Sequence, residues 1–256
     1  MVKMGFPGIP NLDKASRCCF RYLLMLLLAQ TLVLLTGCSK TPFSSVKNSV
    51  KNLAKSDIDF VADAHYASAQ RILRELNTKL YRRNPVQLTH GRVLGGSSAP
   101  TAASREQQLF RADGPLVFDE LGGRRGTRAM ELALAPEFEG DRVFALMAGL
   151  TGMVRHSYDY RAEFFMLDNI DEQKLYQSAR NVEILLWRLS RAHSHSGQPL
   201  ILTNHRSGEV DNLSFERLFG KLIATQDMLA EIAAQKNNRL INQVAHNAAS
   251  LVFFPL

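Results

Sequence analysis

The chain has 256 residues, of which 46% are hydrophobic and 21% charged, and a formal net charge of +7. This composition excludes a disordered or collagen-like polypeptide, and the length allows one or two domains. Residues 1–37 hold Lys3, Lys14, Arg17 and Arg21 against Asp13, so the remainder carries about +4, a mild excess without the concentrated positive field of a nucleic-acid binder.

The first forty residues have the strongest pattern. Arg17 and Arg21 form a basic flank before an apolar run from Tyr22 to Leu35, and Thr36-Gly37-Cys38 follow. A run of about 14 residues is short for a membrane span, which needs about 20, and suits the apolar region of a secretory signal ending in small residues. Cys18 and Cys19 precede that run and would leave with it. Cys38 would then be alone, so the processed chain has no intramolecular disulfide.

Leu35-Thr36-Gly37-Cys38 resembles the lipobox of bacterial lipoproteins at every position. The resemblance implies a diacylglyceryl group on the Cys38 thiol, cleavage before Cys38 and acylation of the freed amine. Small side chains at 36 and 37 give the peptidase access to the bond. Ser39 in place of Asp implies an outer-membrane address in Gram-negative relatives; it does not fix the face of that membrane, and the periplasmic one is the expectation. One myristoyl chain holds a protein reversibly, at about 10⁴ M⁻¹, whereas two or three acyl chains make release negligible. The one departure is the long segment before the apolar run, with Pro7, Pro10 and Asp13, which suits a start downstream of Met1.

Residues 38–55 read as a basic tether with an internal echo, Ser45-Val-Lys-Asn48 and Ser49-Val-Lys-Asn52. Val46, Val50 and Leu53 share a helical spacing, so the tether is either a solvated linker or a short interfacial helix. Residues 56–256 form a single domain in this reading. Ser56 is an N-cap with acids in the first turn, and Ile58, Val61, Ala69, Ile72, Leu73, Leu76 and Leu80 make one apolar stripe ended by Asn84-Pro85. The Gly-, Ser- and Ala-rich stretch 91–105 is expected to be a flexible loop.

Beyond a turn at Asp113-Gly114-Pro115 the chain reads as helical almost throughout. The expected helices are Thr127–Ala135, Gly140–His156, Asp171–His193, Leu213–Gln235 and Asn238–Leu251. Gly140–His156 is apolar nearly all round, which makes it the central helix; Ala145, Gly149 and Gly152 suit close helix approach. Trp187 is expected in the core or at a partner contact. The tail Val252-Phe253-Phe254-Pro255-Leu256 is expected to dock on the core or, if exposed, to act as a binding peptide. The fold class is all-α, an irregular bundle of about six helices.

From about residue 115 onward, Glu120-Leu-Gly-Gly123, Gly140-Asp-Arg-Val-Phe-Ala145 and Leu213-Ser-Phe-Glu-Arg-Leu-Phe-Gly-Lys-Leu222 resemble a group of proteobacterial lipoproteins with no assigned activity. The resemblance implies an address and no reaction.

The candidate chemistry is sparse. Gly122-Gly123-Arg124-Arg125-Gly126 has the glycine amides and guanidiniums that suit a phosphate, with Gly123, Arg124 and Arg125 as the binding residues. It lacks the Gly-Lys-Ser/Thr ending of a P-loop, and the same letters also make a solvated basic turn. His193, His195 and His205 are the only metal candidates, and no carboxylate motif accompanies them. His156-Ser157-Tyr158-Asp159 cannot be a triad among themselves, because neighbours on a helix point apart. Asp168, Asp171, Glu137 and Glu139 are acids that could pair for glycosidic chemistry, but no spacing demands it.

The expected protein is therefore a lipid-anchored binding or structural component of an envelope complex. Its partners would be the membrane and an envelope protein, with no nucleic acid, cofactor or metal. An enzyme acting on envelope polymer or lipid, and a carrier of an apolar ligand, are the alternatives.

Overall fold

In the computed structural model the described residues are 55–91, 100–110, 114–165, 168–207, 210–237 and 253–254, all within one compact unit, residues 54–256. Cys38, the tether up to residue 54, the centre of the expected loop and the expected helix Asn238–Leu251 lie outside the described residues.

Helix α1 (Asp57–Arg83) begins as the acids foretell. Asp59 folds back and accepts from the Ser56 backbone N–H and hydroxyl, both at 2.7 Å. This occupies a backbone donor that the helix itself leaves free. The helix buries Ala69, Ile72, Leu73, Leu76 and Leu80 of the expected stripe, while Ile58 and Val61 are half-buried and Ala62 is buried beside them. Asn84 ends it and donates to the carbonyls of Leu80 (2.8 Å) and Leu202 (2.9 Å), while its side-chain oxygen accepts from Leu202 N–H at 2.7 Å. One amide thus stops the helix and fastens a distant loop to it.

A short α2 (Gln87–His90) follows. Helix α3 (Ala102–Phe110) then starts inside the stretch expected to be a loop. Its physical basis is local capping: Thr101 N–H donates to Ser104 Oγ (2.9 Å) and Ser104 N–H to Thr101 Oγ1 (3.0 Å). A single 3₁₀ turn (Asp119–Leu121) leads to α4 (Thr127–Ala133), two residues shorter than expected. Arg142 is the reason, since its guanidinium donates to the carbonyls of Ala133, Ala135 and Pro136 at 2.6–3.0 Å and so caps that end.

Helix α5 (Arg142–Ser157) is the central helix: every residue in it except His156 is buried. Asp141 caps it, accepting from Phe144 N–H at 2.9 Å. Helix α6 (Glu172–Leu189) is capped by Asp171, and helix α7 (Ser214–Asn237) follows a small antiparallel ribbon of β1 (His205–Ser207) and β2 (Val210–Asn212). In the ribbon His205 faces Asn212 and Ser207 faces Val210. The region after residue 115 is thus less helical than the sequence suggests, because α6 stops at Leu189 and residues 190–204 turn back through a bridge between His193 and Pro199.

The fold is all-α, with seven helices among the described residues. The widest pairings are α6 with α7 and α4 with α5, then α1 with α7. A polar knot crosses the core between α5, α6 and α7. Gln226 accepts from the Tyr158 hydroxyl (2.8 Å) and donates to Ser157 Oγ (2.9 Å) and Ser178 Oγ (3.0 Å). Burial raises the Tyr158 pKa, so the phenol stays a neutral donor. Phe253 is buried with the Arg188 guanidinium over its ring, so that part of the tail docks on the core as expected. Trp187 is not core: it is 39% exposed, with Arg191 stacked on it. No helix among the described residues is long and apolar enough to cross a membrane.

Candidate functional site

His156 is the one break in the buried surface of α5, and it opens onto a cavity of about 560 Å³. One wall is the turn Gly122–Arg128, and the other is Gly152, Met153, His156 and Tyr160, with Leu116 also lining it. Among the described residues no aspartate or glutamate lines it.

The glycine turn is built by backbone that other residues resist. Gly122, Gly123 and Gly126 have φ of 59°, 68° and 52°, values at which a Cβ meets the neighbouring carbonyl. Gly149 of α5 lies against this turn: a Cβ there would sit 2.6 Å from the Gly126 carbonyl oxygen and 2.7 Å from Met130 Cγ. The glycines of the turn shape it, and the glycine of the helix lets it come close.

Three guanidiniums rise from this turn and the first residues of α4. Arg124 reaches only the Leu121 carbonyl, at 3.4 Å. Among the described residues Arg124, Arg125 and Arg128 have no ion pair with a carboxylate, whereas Arg74, Arg105, Arg161, Arg180 and Arg188 each have one. Arg71, Arg82, Arg191 and Arg217 also lack such a pair among the described residues; what sets this cavity apart is that three such guanidiniums line one space.

The opposite wall is closed by a strained turn. Asp159 and Tyr160 both adopt left-handed backbone, with φ of 51° and 59°, a conformation that costs a non-glycine residue about 1–3 kcal/mol. It is held by Tyr160 N–H donating to the Arg155 carbonyl at 2.8 Å and by Lys174 Nζ donating to Asp159 Oδ1 at 2.6 Å. The result stands Tyr160 edge-on to the His156 ring, with centroids 5.4 Å apart. Burial lowers the His156 pKa below its usual value of 6.5, and the positive charges of Lys174 and Arg125 lower it further against the opposing pull of Asp159. The imidazole is therefore a neutral group in a cationic setting.

The structure thus brings Gly123, Arg124 and Arg125 to one cavity and adds Arg128, His156 and Tyr160. The sequence does contain a signal for His156. Gly149, Gly152 and His156 are spaced i, i+3 and i+7, which is one face of a helix, and that face meets the glycine turn.

The other candidates do other things. His193 Nδ1 lies 2.7 Å from the Arg191 carbonyl oxygen, in the turn beyond α6 and not at a helix end, and His193 and His195 are exposed. His205 sits in β1. Among the described residues no group of three or more His, Cys, Asp or Glu side chains is placed to hold a metal ion. Ser157 and Tyr158 are spent on the Gln226 knot, while Asp159 holds Lys174. Asp168 accepts from Phe165 N–H and pairs with Arg161, and Asp171 caps α6. Glu137 and Glu139 line a separate cavity of about 650 Å³ with Asp119, Glu120 and Asp141.

Glu120 and Asp141 belong to a second arginine site, at the other end of α5. Arg105 is fully buried, donates to both Glu120 oxygens at 2.5 and 2.8 Å and to Asp141 at 3.2 Å, and lies 3.9 Å over the Phe144 ring. Tyr81 donates to Asp141 at 2.8 Å. Burial pushes the Asp141 carboxyl above its usual range, against the Phe144 N–H, the Tyr81 hydroxyl and Arg105, which all favour the charged form.

The molecule defined by this geometry is an all-α domain with a cationic cavity set against its central helix. Compared with known protein families, curated protein sequences and solved structures, the chain matches none of them.

Proposed function

We propose that this chain is a lipid-anchored envelope protein that works by binding, and that the cavity between the Gly122–Arg128 turn and the end of α5 holds an anionic group. The observation that carries the reading is the gathering of Arg124, Arg125 and Arg128 around a space lined, among the described residues, by no carboxylate. Unpaired guanidiniums in a concave site favour an anion, because each can make charge-assisted hydrogen bonds that neutral groups cannot. The anchor part of the reading is supported by Leu35-Thr36-Gly37-Cys38 behind a short apolar run. A body tethered to the outer membrane and facing the periplasm would serve an envelope complex as a binding or structural component.

Two measurements test the two halves. Cells given labelled palmitate incorporate it into the chain, and Cys38→Ala abolishes this; label retained in that variant sinks the anchor. The full chain in non-ionic detergent binds small anions such as phosphate, sulfate and citrate, and the double variant Arg124→Glu, Arg125→Glu does not; binding unaltered by the double variant removes the cavity from consideration.

A further inference from the structure

Charge, shape and size narrow the anion beyond its sign. Three guanidiniums without a carboxylate match a dianion better than a monoanion, and a phosphate monoester carries about −1.5 to −2 at neutral pH. A planar carboxylate is satisfied by one fork of two donors. Here donors arrive from two walls, Arg124, Arg125 and Arg128 on one and His156 and Tyr160 on the other, and a terminal phosphate offers three oxygens to meet them. The space of about 560 Å³ falls within the range of small-molecule sites, about 300–1,000 Å³. It leaves room beyond a bare phosphate, and Leu116, Met153 and the Tyr160 ring give that room an apolar side.

We infer that the cavity takes a phosphate monoester, its phosphate among Arg124, Arg125 and Arg128 and its organic part against Leu116, Met153 and Tyr160. This rests on the anion-binding reading above. The monoester is either a soluble metabolite or a lipid whose headgroup ends in phosphate; the recognised chemistry is the same.

His156 supplies a readout that a merely basic surface would not move. The charged groups acting on it are Lys174 from α6, Arg125 from the glycine turn and Asp159 from its own turn, with the Tyr160 ring edge-on beside it. A dianion in the cavity opposes Lys174 and Arg125 and favours the imidazolium, so binding takes up a proton at His156.

The experiment is calorimetric titration of the full chain in non-ionic detergent, in two buffers of different ionisation enthalpy. The probes are glycerol 3-phosphate, mixed micelles carrying phosphatidic acid, phosphatidylglycerol micelles as the diester, and succinate as a dicarboxylate. A monoester is expected to bind at least about tenfold more tightly than the diester or dicarboxylate, since it presents more charged acceptor oxygens. Arg124→Glu with Arg125→Glu is expected to weaken it about a hundredfold, the loss of two charged hydrogen-bonding partners. His156→Gln is expected to weaken binding by no more than about tenfold, as for one hydrogen-bonding partner, and to lose the proton uptake seen in the parent. Binding of glycerol 3-phosphate assigns a soluble ligand, and binding confined to phosphatidic acid micelles assigns a lipid; either supports the inference. Equal affinity for monoester, diester and dicarboxylate overturns it while leaving an anion site, and no binding of any probe overturns both. Proton uptake unchanged in His156→Gln overturns the placement of the phosphate beside that ring.

Discussion

The two ends of α5 use arginine in opposite ways. At its start, Arg105 is fully buried and clasped by Glu120 and Asp141, with Tyr81 completing the set. Towards its end, Arg124, Arg125 and Arg128 surround a cavity and stay exposed. A buried guanidinium is tolerable only when its charge and donors are met, so the first end is fixed by the fold. An exposed guanidinium needs no partner to exist, so the second end is free to take one from outside. The same residue type is a fastening in one place and, in the proposed function, a receptor in the other.

This contrast can be broken most forcefully at the fastening. Arg105→Met leaves the buried Asp141 and the half-buried Glu120 without their cation, and the expected loss is about 3–5 kcal/mol of stability, read by denaturant unfolding. An unchanged midpoint would make the network a bystander. Gly149→Ala comes next: a Cβ 2.6 Å from the Gly126 carbonyl meets backbone that cannot swing aside, and overpacking of this kind costs about 1–3 kcal/mol. Because Gly126 also lines the cavity, the same change should weaken anion binding while Arg105 stays in place.

A smaller effect concerns pH. His156 has a pKa below 6.5 when folded, so between that lower value and 6.5 the unfolded chain binds more protons than the folded one. Stability is therefore full above 6.5 and is lost as pH falls through the folded value. His156→Gln should flatten this part of the stability-pH curve; a curve of unaltered slope would mean that the imidazole does not titrate there. The smallest effect sharpens the contrast from the receptor side. Arg124→Glu with Arg125→Glu is expected to shift stability by less than about 0.5 kcal/mol, as exposed substitutions do, and a melting curve that collapses would show these arginines to be structural.

Much of this fold can be read from local pattern. The apolar stripe of α1, its Ser56 start and Asn84-Pro85 end, and the all-round burial of α5 follow from spacing and capping chemistry in neighbouring residues. What could not be read depends on residues far apart. Helix α3 starts within a stretch of loop-forming letters because Thr101 and Ser104 cap each other and Arg105 finds Glu120 and Asp141. Helix α4 is shortened by Arg142. The site divides in the same way. Gly122–Gly126 is a local motif with its chemistry on display, whereas His156 and Tyr160 become its neighbours only once Gly149 has brought α5 against the turn. The spacing of Gly149, Gly152 and His156 marked a face, but not what that face would meet.

The buried Asn181 side chain gives its amide to the Phe254 carbonyl at 2.9 Å and takes the Phe254 N–H at 2.7 Å, across 73 positions of sequence. A chain cut short before residue 253 would leave that amide with two unanswered hydrogen-bonding groups in the interior and the space under Arg188 without the Phe253 ring. Unmet polar groups of this kind are costly, so a truncated product would carry its own fault at its centre.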